Sequence, residues 1–224
     1  MKKISLAILS LSFFLAACED PAANKTRAVM SDPSAPVANS QTTATAAKGE
    51  NLAITPSNSK VLFTGSKVTG KHDGGFNEFS GSIALVNGNA AESSVKVDIE
   101  TASVFSDADG LTNHLQAGDF FDVEKFPKAS FVSTKIAPDS SKGPNAFVVT
   151  GDLELRGVRK SMTFPAVITV APADVSVESE FSVNRKDFGI LYPGTADDLI
   201  RDDVVIKLDL KASRTGVLNT KPQP

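Results

Sequence analysis

The sequence predicts an all-β domain of eight antiparallel strands. Three observations carry that reading. From about residue 59 onward most of the chain alternates apolar and polar residues with a period of two, the signature of strands with one buried face. The alternating runs are separated by short stretches holding Gly, Asn, Asp or Pro, which are turn residues. The internal stretch 107–121 lacks the alternation, and Arg185 to Asp202, which contains Pro193 and Gly194, reads as a long connection.

Before the strands lies an address. Lys2 and Lys3 precede an apolar run from Ile4 to Ala17, too short for a membrane span and matching a secretory leader, residues 1–17. The next residues, Leu15-Ala16-Ala17-Cys18, resemble the lipobox of bacterial lipoproteins, in which the cysteine is diacylated and becomes the new N-terminus. Cys18 is the only cysteine, so no disulfide forms within the chain, and acylation would remove an otherwise reactive exported thiol. The resemblance implies membrane attachment through Cys18 in the bacterial cell envelope, facing the periplasm. Glu19 after the cysteine favours the outer membrane. Residues 18–50 then read as the acylated cysteine and a tether: Glu19 to Asn51 is mostly Ala, Ser, Thr, Pro and Asn and is assigned no secondary structure.

The strands follow in order over a domain of residues 51–215. The first, Ser59 to Val68, has blurred faces. Thr69 to Gly75 reads as a glycine-rich turn. Phe76 to Val86 presents Phe79, Ile83 and Leu85 on one side, and Asn87-Gly88-Asn89 ends it. Ser93 to Thr101 alternates cleanly, with Val95, Val97 and Ile99 inward. Leu111 and Leu115 stand four apart and predict a short helix, with Phe120, Phe121 and Phe126 closing over one end of the sheet as a lid. Ala129 to Ile136 resumes the sheet. Phe147 to Val170 is a hairpin around Gly157, with Phe147, Val149, Leu153 and Leu155 on one arm and Met162, Phe164, Ala166 and Ile168 on the other. Asp174 to Asn184 and Asp203 to Lys211 complete the count, the last with Val204, Ile206, Leu208 and Leu210 inward. Residues 216–224 form a tail.

Eight such strands fit either a two-sheet sandwich or a closed barrel, whose interior is either filled by its own side chains or holds one slender ligand. The charge of -3 and the absence of a Lys/Arg block argue against a nucleic-acid partner. No Ser-His-Asp arrangement or phosphate-binding glycine loop is present. His72, Asp73, His114 and Asp119 are standard metal-ligand types, but no HxH or HxxxH spacing links them, and no metal is assigned. Arg185 with Asp187, and Arg201 with Asp202 and Asp203, read as structural ion pairs. Arg156, Arg159 and Lys160 read as a solvated hairpin tip.

Four segments, SKVLFTGSKVTGKHDGGF at 59–76, HLQAGDFFDVEKFPKASFVS at 114–133, TGDLELRGVRKSMTFP at 150–165 and FSVNRKDFGI at 181–190, resemble in order and spacing the YceI-like family of bacterial exported lipid-binding proteins. The resemblance implies a lipocalin-like eight-stranded antiparallel barrel with one short helical lid, an apolar tunnel for a long isoprenoid or acyl chain, and no catalysis. It implies tunnel lining by Phe131, Leu153, Leu155, Phe164 and Phe181, to which the inward set adds Val97, Ile99, Phe147, Val149, Met162, Ile206 and Leu208. His72, His114, Phe120 and Phe121 are expected at the tunnel mouth, where a head group such as a quinone or phosphate would sit; no separate cofactor is expected. Fourteen Phe against one Tyr and no Trp suit a dry interior. Two alternatives stand beside this reading: an enzyme using His72 or His114 as acid or base, and a structural envelope protein with a solid core. A homodimer is left open.

Overall fold

The computed structural model describes residues 20–33 and 49–214. The leader, Cys18 and the tail from 216 lie outside the described residues. In chain order the elements are β1 (Val29–Ser31), β2 (Gly49–Ile54), β3 (Lys60–Ser66), β4 (Lys71–Phe76), β5 (Phe79–Val86), β6 (Asn89–Glu100), β7 (Val104–Ser106), α1 (Asp109–Gln116), β8 (Lys128–Pro138), β9 (Ala146–Leu155), β10 (Val158–Val170), β11 (Asp174–Asn184), the two-residue β12 (Gly194–Thr195) and β13 (Asp198–Leu199), and β14 (Asp203–Ser213).

Twelve of these strands share one sheet, and apart from the short β1, which pairs only with β10, they reduce to eight passes of the chain. β4 and β5 are halves of one bent strand, as are β6 and β7, because the pairs Phe79↔Ile99 and Phe76↔Val104 continue one ladder across the bend. β2 and β3 lie end to end along that bent strand, β2 on β5 and β3 on β4. Neighbours then run β2/β3, β4/β5, β6/β7, β8, β9, β10, β11, β14, and β14 pairs back onto β3 through Ile206↔Phe63. The sheet closes as an up-and-down antiparallel barrel; the sandwich alternative falls. Closure leaves few free edges.

Up-and-down order sends alternate connections to opposite ends. One end holds the β5–β6, β8–β9 and β10–β11 turns. The other holds the β3–β4 turn, α1, the β9–β10 turn and the 185–202 connection. The first end is filled by its own side chains, with Ile83 and Leu85 almost fully buried and a void of only about 10 Å³ among them.

Two sequence expectations are corrected. Thr69 to Gly75 is not all turn, since Lys71 onward is β4. Gly74 and Gly75 serve close approach: a Cβ at Gly74 would fall 2.4 Å from the Phe105 carbonyl oxygen and 2.5 Å from the Phe63 ring. The turn proper is closed by Lys67 N–H on the Gly70 carbonyl. Glycines that admit a neighbouring ring look the same in sequence as glycines that turn a chain.

Second, residues 20–33 are not a structureless tether. β10 and β11 pair only from Val167↔Glu178 to Val170↔Val175. Pro165 lacks an N–H to continue that ladder, and above it the two strands part. The N-terminal segment fills the gap. β1 pairs with β10 through Val29↔Thr163 and Ser31↔Ser161, while Arg27 bridges to Ser182 of β11. Ala28 is buried and Met30 joins the core, with Val29 between them facing solvent. β2, at the end of the expected tether, was also missed, although Leu52 and Ile54 alternate and are buried.

Candidate functional site

The barrel encloses a cavity of about 560 Å³. Its floor is Val95, Ile136, Ile168, Val177 and Leu210; its waist includes Phe131, Val149, Phe164, Phe181 and Leu208. On β6, β9, β10, β11 and β14 these residues come from every second position, so strand periodicity itself makes the wall apolar. On β8 the register shift between Ser133 and Lys135 brings Phe131 and Ile136, five apart, onto the same face. Phe164 and Phe181 stack across the β10–β11 parting, centroids 4.4 Å apart, and give the waist a flat aromatic side. The solid-core alternative is overturned by this cavity.

The polar lining is confined to the mouth: Ser66, Lys67, His72, His114, Arg185, Thr195 and Asp198 all sit on elements of the open end. α1 lies across that end. An eight-residue helix is marginal alone, and side-chain bonds fix this one: Thr112 Oγ1 accepts from Ser106 N–H, and Gln116 Nε2 donates to the Ala102 carbonyl at 3.0 Å. Leu111 and Leu115 face the cavity, as their spacing predicts. Phe120, buried, and Phe121 follow them, with Phe121 edge-on to Phe76. His114 lies edge-on to both Phe120 and Tyr192, centroids 4.9 Å apart in each case.

Both histidines have carboxylate partners. His72 Nδ1 lies 2.8 Å from Asp107, and His114 Nε2 lies 3.0 Å from Asp119. The Asp107 carboxyl is held below its usual value, first by the Asp73 backbone N–H and then by His72. Asp198 is likewise held low, by Lys67 and then Thr69. Among the described residues no three His, Cys, Asp or Glu gather as a metal site would require.

Arg185 departs from expectation. Its partner is Asp202, not Asp187, and its guanidinium also donates to the carbonyls of Arg201, Ile190 and Ile200. Burial pushes its pKa down and Asp202 pushes back. The buried cation thus ties both ends of the 185–202 connection to the top of β11. Arg156 departs too: rather than a solvated tip, it donates to the carbonyls of Gly189 and Gly118, joining that connection to the loop after α1. Arg156 and Gly157 both take positive φ, 53° and 72°, as a two-residue hairpin turn requires. Arg159 pairs with the buried Asp152, and Lys160 reaches Asp32.

Of the twelve lining residues expected from sequence, eleven reach the cavity; Phe147 does not. It shares a face with Val149 but lies at the filled end, paired with Ala166 and Pro138, beyond the cavity floor. All four expected mouth residues line the opening. The expected tunnel is a blind pocket. Sequence reading missed Phe63, in the strand with blurred faces, Phe76, at the end of the β4 segment that reads as a glycine-rich turn, and Phe188, Ile190, Tyr192 and Ile200 in the long connection. The run Phe188-Gly189-Ile190-Leu191-Tyr192 was the available signal: such a run rarely stays wholly in water.

A family model described as the YceI-like domain matches residues 52–212. The chain belongs to the YceI-like family. A UPF0312 protein of Pseudomonas putida strain W619 is 33% identical over 140 residues, covering 60% of this chain and 71% of that protein. A UPF0312 protein of Shewanella denitrificans is 35% identical over 141 residues, with 60% and 72% covered. Among solved structures, Burkholderia cenocepacia BcnA superposes with a TM-score of 0.63 at 26% identity, over 71% of this chain and 99% of that one. A domain from Saccharophagus degradans, described as polyisoprenoid binding and implicated in plant cell wall breakdown, superposes with a TM-score of 0.58 at 16% identity, over 74% and 99%, and so shares the fold. The blind apolar pocket and its aromatic lid are therefore features of a YceI-like barrel.

Proposed function

We propose that the protein binds a long-chain isoprenoid, or a similar amphiphilic lipid, with its tail in the barrel and its head group at the mouth, and carries or stores it in the bacterial cell envelope without catalysis. The observation that carries the reading is the gradient along the pocket: an apolar floor and waist, with every polar lining side chain at the opening. A tail gains about 0.8 kcal/mol for each buried methylene, before ordering costs, and needs no hydrogen bond to do so. A volume of about 560 Å³ lies in the range of small-molecule sites. The Saccharophagus degradans domain of the same fold, described as polyisoprenoid binding, supports the ligand class. The leader and Cys18 support an acylated, periplasm-facing protein of the outer membrane.

The test is organic extraction of the purified full-length mature chain, with mass analysis of the extract, followed by reloading of the stripped protein with geranylgeraniol. An isoprenoid or acyl lipid in near-stoichiometric amount is expected. Extracts holding none, together with no saturable uptake of geranylgeraniol, would end the proposal.

A further inference from the structure

Six large apolar side chains are conspicuously exposed among the described residues. Val29, Val132 and Val167 stand singly on the outer wall, on β1, β8 and β10, as scattered surface apolars commonly do. The other three lie in the two segments that frame the cavity opening, beside residues that line it. Val68 is 56% exposed in the β3–β4 turn, and Leu191 and Leu199 are 63% and 50% exposed in the 185–202 connection. Val68 N–H donates to the Leu199 carbonyl at 3.2 Å, and Ile200 N–H to the Pro193 carbonyl at 2.9 Å, so the turn and the connection form one continuous rim. That rim is anchored from beneath by Arg185 and by Lys67 with Asp198. It is a fixed edge with apolar tips.

The chain's own route adds a second, independent observation. It enters the described body at Asp20, whose carboxylate lies 3.4 Å from Arg201, next to Ile200 and Leu199 on the same rim. Residues 26–31 are then built into the wall between β10 and β11. The described chain therefore starts beside the mouth, at a residue only two positions after Cys18 in the sequence.

We infer that the open end is a membrane-docking face, on which Val68, Leu191 and Leu199 insert into a phospholipid bilayer so that the cavity opens directly against it. No described helix is long and apolar enough to cross a membrane. Carboxylates of Asp73, Asp107, Asp119 and Asp197 stand among Lys67, Lys71 and Lys186 at this end. The face has no basic excess, and its contact is apolar rather than a search for anionic head groups. The inference rests on the lipid-binding reading for its purpose and deepens it: the ligand passes between bilayer and pocket without crossing water.

The experiment uses the full mature chain with Cys18→Ser, which removes the acyl-anchor residue and with it the only cysteine of the sequence. A single cysteine is returned as L191C at the rim or V132C on the wall, labelled with a solvent-sensitive fluorophore and titrated with phosphatidylcholine vesicles. A blue shift at the rim label and none at the wall label is expected. Replacing Val68 and Leu199 by Ser in the L191C chain should weaken vesicle binding at least tenfold, while extractable lipid and the circular dichroism spectrum stay unchanged. Equal response at both labels, no response at the rim, or unchanged binding in the Ser variant overturns the docking face. Docking with empty extracts would instead overturn the lipid reading and leave the face standing.

Discussion

Ala28 donates its backbone N–H to the Ser182 carbonyl at 2.8 Å, and Ser182 returns its own N–H to Thr26 at 3.0 Å. This exchange places the N-terminal segment in the barrel wall where β10 and β11 part above Pro165. A chain beginning at Gly49 leaves two strand edges unpaired and uncovers the side of the core that Ala28 and Met30 close. Summing one buried Met side chain and a few backbone hydrogen bonds gives roughly 3–5 kcal/mol, or about 6–20 °C in melting temperature for a domain of this size. Thermal melts of the two chains compare them directly. Equal melting temperatures would show that the segment merely rests on the surface.

Arg185 should tolerate no substitute. In Arg185→Met the carbonyls of Ile190, Ile200 and Arg201 lose their buried donor, and breaking such a network costs about 3–5 kcal/mol. Arg185→Lys retains the charge but not the planar fork that reaches several acceptors, so it should recover less than half of the loss. Denaturant unfolding of both variants measures this, and full recovery by Lys would mean that charge alone matters.

The eight passes were legible because most strands bury one face, and period-two patterning survives in any sequence that does so: β6, β9, β10, β11 and β14 fall where their alternation put them. The helix followed from Leu111 and Leu115. The rest was hidden for physical reasons. β1 is three residues long and completes a wall rather than forming a face, and its composition is that of a linker. β4 carries glycines chosen for the space beside Phe63 and Phe105. Phe147 obeys the same alternation as Leu153, yet one lies past the cavity floor and the other beside the void. Period fixes the face of a strand, not the height along the barrel. Arg185 and Asp202 are brought together by a loop closure that spacing cannot reveal.

The rim should loosen in acid through named carboxylates. Asp107 and Asp198 both have folded-state values held below the ordinary carboxylate value of about 3.9, by the Asp73 N–H with His72 and by Lys67 with Thr69 respectively. A depressed carboxylate contributes its stabilisation fully above the unfolded value and loses it as pH falls through the folded one. The chain with Asp107→Asn and Asp198→Asn should therefore melt below the parent at pH 7 and converge with it below about pH 4. A constant gap at all pH values would assign these side chains a role unconnected with charge.

His72 and His114 bond Asp107 and Asp119 at the solvent-facing edge of the mouth, where exposed pairs contribute at most about 1 kcal/mol. Replacing both by Ala should leave extractable lipid within twofold of the parent and shift the melting temperature by only a few degrees. Chemical alteration of a bound lipid by the parent and not by the variant would revive a catalytic role.

The sharpest test of the pocket uses one strand as its own control. Leu153 and Phe147 lie on the same face of β9, but only Leu153 lines the cavity, while Phe147 meets filled space. In Leu153→Trp the indole projects into the void and takes the place of ligand atoms. If it displaces two methylenes, about 1.6 kcal/mol of burial is lost, roughly a fifteenfold fall in affinity. Because the added bulk enters space the protein leaves open, folding should be little affected. Phe147→Trp adds a smaller increment at a half-buried position already packed against the core, so overpacking at the low end of about 1–3 kcal/mol is expected with ligand affinity unchanged. Geranylgeraniol titrations and thermal melts of the two variants should thus show opposite patterns, one losing affinity and the other stability. Identical patterns would mean that ligand does not occupy the waist of the barrel.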